Sequence, residues 1–107
     1  MIKLPEPRYG TQWLAIQTYR NVGEPSDMKL RARALPGQGF PLHYKVECSE
    51  KMRKDNPEGT CFIIQAKITE GTERTPCIYT HHLWHYKRVT HEEADIFIAI
   101  YYGKKTK

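Results

Sequence analysis

The chain has 107 residues, enough for one domain and too few for two ordinary ones. It carries 17 Lys and Arg against 12 Asp and Glu, a formal charge of +5 at pH 7. This balance is compatible with binding to nucleic acid or another acidic partner. The longest apolar stretch, residues 96–102, is far too short to span a bilayer, so we expect no membrane insertion.

The cysteines indicate the compartment. The chain has three cysteines, an odd number, at Cys48, Cys61 and Cys77. They are widely spaced and form no CxxC motif. That pattern argues against a secreted disulfide scaffold. Residues 1–10 contain two prolines and several charges instead of the apolar run of a signal peptide. Together these features predict a reduced, cytoplasmic setting.

The first part of the chain predicts an extended arm followed by a strand. Residues 1–10 are expected to form the arm because Pro5 and Pro7 disfavour both a helix and pairing within a sheet. Residues 11–20 fit either a helix face or a strand face, and their β-branched and aromatic content favours a strand. The Gly, Pro, Ser and Asp of residues 21–27 then predict a turn.

The clearest period-two pattern lies in residues 28–34. Apolar side chains alternate there with Lys29, Arg31 and Arg33. A strand would bury the apolar set and hold the three cations outward. After a break that is rich in Gly and Pro, residues 42–48 alternate again and predict another strand.

The second half contains the two most apolar predicted strands. Residues 60–69 alternate between two faces and predict a strand that forms a hairpin with the next one. Residues 76–89 are expected to form one long bent strand or two. Residues 95–102 are predicted as a strand buried on both faces. Short helical turns are predicted at 49–54, where Ser49 would cap the turn, and at 90–93, where the sequence fits a capping box.

These elements predict a mainly β fold, a small barrel or sandwich of five to seven strands with at most short helices. The alternative is an α+β domain with one N-terminal helix over residues 11–20. We expect residues 1–107 to form a single domain. Residues 104–107 would form a basic tail beyond the last strand.

The outward cations of residues 28–34 are the first candidate site. Residues two apart on a strand are about 6.5–7 Å from one another, comparable to the phosphate spacing of an extended nucleic-acid strand. Aromatic side chains commonly stack on bases beside such a basic groove. The simpler interpretation is that these cations keep a solvent-facing strand soluble and prevent it from pairing with another chain. The predicted phosphate contacts are Lys29, Arg31, Arg33, Lys45 and Arg53, and the predicted stacking residues are Tyr44, Trp84 and Tyr86.

The histidine-rich segment is the second candidate. Cys77, His81 and His85 would share one face of a straight strand, but the two histidines would then lie about 13 Å apart, too far to share one ion. Only a bend would bring them together, so no metal and no cofactor is predicted, and the question of this group stays open. No catalytic residue is predicted either, because the acids of residues 92–95 occupy a predicted helix start.

The leading functional hypothesis is a non-enzymatic module that binds nucleic acid or another polyanion through the basic strand face. The alternative is a protein-interaction or self-assembly module, and hence a homo-oligomer. Its contact surface would be an exposed edge strand and the Tyr/His/Trp segment at 79–86, because aromatic residues are enriched at interfaces.

Overall fold

The computed structural model describes residues 4–20, 30–40, 44–69, 77–81 and 83–103. In these residues the protein is mainly β, with six strands and two short helices. In chain order the elements are β1 (Gln12–Arg20), β2 (Leu30–Ala34), β3 (Lys45–Glu47), α1 (Glu50–Lys54), β4 (Cys61–Thr69), β5 (Cys77–Tyr79), β6 (Tyr86–Val89) and α2 (His91–Tyr101).

The sheet is organised around β4. One edge of β4 pairs antiparallel with β1, and the other edge pairs antiparallel with β6 and then with β5. β2 extends the sheet antiparallel to β1, and β3 extends it parallel to β5. The order β2-β1-β4-β5-β3 curls until β2 and β3 lie beside each other, which makes a nearly closed, five-stranded, barrel-like sheet. This confirms the predicted mainly β fold, a small barrel or sandwich, and the sheet takes the barrel-like form.

The barrel interior is filled by the alternate side chains that the sequence pattern assigned to one face. Phe62, Ile64 and Ala66 of β4 are buried there, and Ala32 and Ala34 of β2 face them. Period-two alternation thus separates an interior face from an exterior one. The complete interior cluster is Leu14, Ile16, Ala32, Ala34, Val46, Met52, Phe62, Ile64, Ala66 and Ile78.

A second apolar layer covers the outside of the barrel. Cys61 and Ile63 of β4 and Trp13 of β1 point outward, and Ala94 and Phe97 of α2 pack on them. The segment before β1 runs over the same layer, and its residues 4–8 form neither helix nor strand. The indole Nε1 of Trp13 donates to the Pro5 carbonyl at 2.8 Å and fixes the segment there.

The strand predicted over residues 95–102 is wrong, because this segment lies in α2. Thr90 Oγ1 accepts a hydrogen bond from the Glu93 amide at 3.0 Å, and Glu93 Oε1 accepts one from the Thr90 amide at 2.9 Å. This capping box starts a helix of 11 residues, much longer than the single turn predicted. Ala94 and Phe97, three residues apart, then bury on the sheet, and this packing overrides the strand preference of the isoleucines. No helix in the described part of the chain is long and apolar enough to cross a bilayer.

The remaining predicted elements are confirmed with adjusted bounds. Residues 12–20 form a strand, so the alternative of an N-terminal helix is wrong. Of the strand predicted over 42–48, the structure describes residues 44–48, in which β3 covers Lys45–Glu47, and Ser49 caps α1 as expected. Residues 76–89 contain two strands, β5 and β6, on the same edge of β4. The predicted turn at 21–27 and the predicted tail at 104–107 lie outside the described residues.

Candidate nucleic-acid interface

The outer face of β1 and β2 presents the predicted cations. Gln17 pairs with Arg33, and Tyr19 pairs with Arg31, in the register of the two strands. Cross-strand partners point to the same side of a sheet, so these four side chains share the outer face. The guanidinium carbon of Arg33 lies 4.7 Å from the centroid of the Tyr19 ring. This cation–π contact holds an exposed arginine against an aromatic ring.

A depression of about 1000 Å³ follows the gap where the sheet stops short of closure. Among the described residues, β2 and β3 are the two ends of the sheet order and share no ladder, so the gap has open strand edges on both sides. Residues from β1, β2, β3 and α1 and the first residue of α2 contribute to its walls. The lining consists of Gln17, Tyr19, Arg31, Ala32, Arg33, Ala34, Leu35, Pro36, Tyr44, Val46, Glu47, Cys48, Arg53 and His91.

Arg53 brings a third guanidinium group to this depression from α1. Its Nη1 donates to the Leu30 carbonyl at 3.1 Å, which ties α1 to the start of β2. Its Nε is buried and has no hydrogen-bond partner among the described residues. Burial raises the pKa of the neighbouring Cys48 thiol, and the charge of Arg53 and a hydrogen bond from it offset part of that rise. Cys48 is therefore a neutral thiol near pH 7 and adds no negative charge to the depression.

The charge of the depression is positive. Three guanidinium groups and one carboxylate, that of Glu47, are among its lining residues. His91 lies at the rim, and its Nδ1 is 3.4 Å from Asp95 Oδ2 on the same helix. Guanidinium groups match the geometry of phosphate oxygens and retain their charge at any physiological pH. The depression therefore suits an anionic ligand.

The structure brings together four of the predicted site residues. Arg31, Arg33, Arg53 and Tyr44 all line the depression. The ring of Tyr44 is half-buried and packs against the barrel interior, so only part of it faces the depression. The backbone of Lys45 lies in β3, next to this site. Lys29 and the side chain of Lys45 lie outside the described part of the chain.

Trp84 and Tyr86 lie elsewhere. Neither is among the described residues that line the depression. Tyr86 packs edge-on against Phe62 at a centroid distance of 5.6 Å. Trp84 packs against the rings of Tyr79 and His81. The next residue, His85, meets Trp13, which is about 20 Å along β1 from Tyr19. The aromatic ring beside the arginines is Tyr19, which the sequence reasoning missed. The available signal was that two alternating segments, 11–20 and 28–34, flank the predicted turn at 21–27 and were therefore candidates to pair.

Tyr79, His81 and Trp84 form what we call the ring cluster. The Trp84 centroid is 5.8 Å from that of Tyr79 and 5.8 Å from that of His81. The Arg8 guanidinium carbon lies 5.8 Å from the Trp84 ring. Leu83, between β5 and β6 in the chain, is 73% exposed, and its amide donates to His81 Nδ1 at 3.0 Å. The cluster is a compact aromatic surface with an exposed leucine beside it.

Cys77, His81 and His85 make separate contacts. Cys77 Sγ lies 3.1 Å from Thr69 Oγ1, and the His85 ring meets the Trp13 ring at 6.3 Å. In the parts of the chain that the structure describes, no three His, Cys, Asp or Glu side chains are grouped so that they could hold a metal ion. Burial, followed by the charge of Asp95, raises the pKa of the Cys61 thiol, so this cysteine is also neutral near pH 7.

Comparison with known proteins adds no family. No family model matches the chain, and neither a curated protein nor a solved structure matches it. The function is therefore inferred from the chemistry of the depression.

Proposed function

We propose that the protein is a non-enzymatic module that binds nucleic acid, with the sugar–phosphate backbone held in the arginine-lined depression. One observation carries this proposal: Arg31 and Arg33 of β2 and Arg53 of α1 line the same depression, although α1 is separated from β2 in the chain by β3. Cations gathered from separate elements favour a binding site over the simple protection of a strand. The formal charge of +5 adds a general attraction for polyanions.

The shape of the depression favours a single strand over a duplex. Proteins that read duplex DNA insert a helix or a two-stranded ribbon into a groove. The arginines here lie along a concave gap between strand edges instead. Arg31 and Arg33 are about 7 Å apart along β2, so they can follow successive phosphates of an extended strand. Tyr19, held against Arg33, offers a flat surface on which a base can stack.

Removing the arginine charges tests the site. We expect the double variant Arg31→Gln/Arg33→Gln to bind a fluorescein-labelled single-stranded oligonucleotide about tenfold or more weakly than the wild type. The reason is that each glutamine keeps hydrogen-bonding groups but loses the charge. Fluorescence anisotropy at constant ionic strength measures the change.

A matched control separates a site from diffuse charge. Lys67 and Lys87 are exposed cations on β4 and β6, and neither is a lining residue of the depression. The variant Lys67→Gln/Lys87→Gln removes the same total charge, and we expect it to retain most of the affinity. Equal losses in the two double variants would contradict the proposed site.

A second candidate function is supported by the ring cluster. Leu83 is a large, exposed hydrophobic residue beside three packed rings, an arrangement typical of a protein-interaction surface. The alternative predicted from the sequence, a protein-interaction or self-assembly module that uses residues 79–86, would place its contact surface here. A Trp84→Ala variant that keeps oligonucleotide affinity but loses a partner or a dimer would favour this second function.

The proposal includes a reduced, cytoplasmic setting. Cys48, Cys61 and Cys77 are all unpaired in the structure. Burial keeps Cys48 and Cys61 neutral and therefore slow to oxidise. Unpaired thiols of this kind are usual for proteins of the cytoplasm.

A further inference from the structure

Residues 4–8, with the sequence Leu-Pro-Glu-Pro-Arg, lie on the outside of the barrel and form neither helix nor strand. We call them the proline segment. Each proline fixes its own φ at about −65° and biases the residue before it towards an extended conformation. Neither proline has an N–H group to donate. The segment is therefore held by its side chains and a few backbone groups, as an extended peptide is held by a receptor.

The first half of the proline segment is held at Trp13. Leu4 is partly buried against the apolar layer that contains this tryptophan. The Pro5 carbonyl accepts the hydrogen bond from Trp13 Nε1 at 2.8 Å. Proline-rich peptides dock in aromatic-lined grooves, and their preformed extended backbone reduces the entropy lost on binding. The surface at Trp13 holds the chain's own segment in this way.

The second half of the proline segment is held beside the ring cluster. The Arg8 amide donates to Gln65 Oε1 at 3.0 Å, and the Arg8 guanidinium carbon lies 5.8 Å from the centroid of the Trp84 ring. The chain then turns into β1, since the Thr11 amide donates to the Arg8 carbonyl at 3.0 Å. The proline segment therefore leaves this surface at Arg8, where the ring cluster begins.

The path of the proline segment crosses the sheet from strand to strand. Its first hydrogen bond is to Trp13 on β1, and its next is to Gln65 on β4, the cross-strand partner of Trp13. β5 lies on the far side of β4 from β1, and Tyr79 of the ring cluster belongs to β5. Ile78 points into the barrel interior, so Tyr79 points outward. A longer peptide that keeps the same direction therefore reaches the ring cluster.

We propose that this surface is the docking site for an extended, proline-containing peptide of a partner protein, and that the proline segment fills its first half when no partner is bound. The segment itself indicates the chemistry of the occupant, a leucine followed by Pro-x-Pro and an arginine. The partner peptide displaces the segment from Trp13 and continues over the ring cluster towards the exposed Leu83. These additional contacts favour the partner over the chain's own segment.

The attachment of the proline segment is light enough for exchange. Pro5, Glu6 and Arg8 are exposed. Among the described residues, the backbone of the segment makes two hydrogen bonds to the barrel, those at the Pro5 carbonyl and the Arg8 amide. Segments with an exposed backbone and few hydrogen bonds open at a low cost in free energy. Opening of the segment exposes the site, and the affinity for a partner peptide is reduced by the fraction of time that the site stays filled.

Peptide docking is independent of nucleic-acid binding. Among the described residues, no member of the proline segment or of the ring cluster lines the arginine-lined depression. A variant that removes peptide binding therefore leaves Arg31 and Arg33 in place. Failure of one proposal would not imply failure of the other.

Fluorescence anisotropy of a fluorescein-labelled peptide with the sequence of residues 4–9 tests the site on the full chain. We expect Leu4→Ser/Arg8→Ser, the loosened variant, to bind the peptide at least about tenfold more tightly than the wild type, because its own segment no longer fills the site. Tyr9→Ser, a change at a fully exposed residue, should bind the peptide as the wild type does. A loosened variant that binds no more tightly than the wild type would overturn the proposal. Equal binding of a peptide with both prolines replaced by alanine would also overturn it.

Substitutions at the site should have the opposite effect to loosening. In the loosened variant, we expect Trp13→Phe and Trp84→Ala each to weaken peptide binding about tenfold, because the first removes the indole N–H and the second removes the ring beneath the arginine. Circular dichroism checks that each variant is folded, and each should keep its affinity for an oligonucleotide. Unchanged peptide affinity in both variants would contradict the site. A loosened variant that gains affinity for an oligonucleotide and not for the peptide would assign the surface to nucleic acid and also contradict the proposal.

Discussion

The side-chain amide of Gln38 makes the hydrogen bonds to the Ala15 backbone that a neighbouring strand would otherwise make. Its side chain is buried, and its Oε1 accepts a hydrogen bond from the Ala15 amide at 2.7 Å. Its Nε2 donates to the carbonyls of Ala15 at 2.9 Å and Leu35 at 3.0 Å. The pairing of β1 with β2 ends at Ile16, so these bonds satisfy the backbone of β1 one residue beyond that point. The break rich in Gly and Pro is thus anchored to β1, which composition alone does not indicate. Gly37 and Gly39 flank Gln38 with φ near +95° and +85°, a conformation that favours glycine.

The free energy of unfolding should fall by about 1–3 kcal/mol in Gln38→Ala, because the Ala15 amide would be buried without an acceptor. Urea denaturation measures this loss. Gln17→Ala removes an amide that makes one long bond, at 3.3 Å to the Gly59 carbonyl, and should cost less than about 0.5 kcal/mol. Similar losses in both variants would contradict the role given to Gln38.

Tyr102 connects the end of α2 to the beginning of β1. Its hydroxyl donates to the Trp13 carbonyl at 2.6 Å and accepts from Gln12 Nε2 at 3.1 Å. Burial raises the pKa of this hydroxyl above its ordinary 10.0, and the hydrogen bond from Gln12 offsets part of that rise. The folded state therefore favours the neutral phenol. Its contribution to stability is complete below pH 10 and is lost as the pH rises through the folded-state pKa.

Tyr102→Phe should lower the free energy of unfolding by about 1 kcal/mol at pH 7, because one hydrogen bond is lost. This deficit should shrink above pH 10. There the ionisation of Tyr102 favours the unfolded wild type, whereas the variant has no phenol at this position to ionise. Denaturation at a series of pH values measures the deficit. Tyr9 is fully exposed, so Tyr9→Phe should follow the wild type throughout. A deficit that stays constant to high pH would show that ionisation of Tyr102 is not coupled to folding.

Strands with one interior face were predictable from the sequence, and α2 was not. Alternation identifies β1, β2 and β4 because a barrel interior selects every second residue. In residues 95–102, isoleucine and aromatic side chains occur on all sides of the helix, so no helical period is visible. Their strand propensity then gave the wrong answer. The correct local signal was the capping box at Thr90 and Glu93, which marks where a helix starts but not how long it continues.

The capping box makes a prediction for α2 as an element. Thr90→Ala removes the acceptor for the Glu93 amide and should lower the free energy of unfolding by about 1 kcal/mol. Thr90→Ser keeps a hydroxyl at the cap and should restore most of that stability. Thermal denaturation followed by circular dichroism distinguishes the two. A serine variant as unstable as the alanine variant would show that the threonine methyl group, and not the cap, is responsible.

At the scale of the whole molecule, the cations of the candidate site were predictable and their aromatic neighbour was not. Alternation placed Arg31 and Arg33 outward, and Arg53 followed from the charge near α1. Tyr19 joins them only through the register of β1 with β2. Trp84, by contrast, lies between β5 and β6, which pair with β4 and not with β2. Distances of this kind depend on how the barrel closes, and a period in the sequence carries no information about closure.

The affinity for a single-stranded oligonucleotide as a function of salt tests the central claim most directly. If Arg31, Arg33 and Arg53 each neutralise one phosphate, the logarithm of the binding constant should fall linearly with the logarithm of the salt concentration, with a slope of about −2. The variant Arg31→Gln/Arg33→Gln should reduce the slope to about −1 or less, since only Arg53 would remain. Absence of binding at about 50 mM salt, or a slope that the variant leaves unchanged, would contradict nucleic-acid binding in the arginine-lined depression.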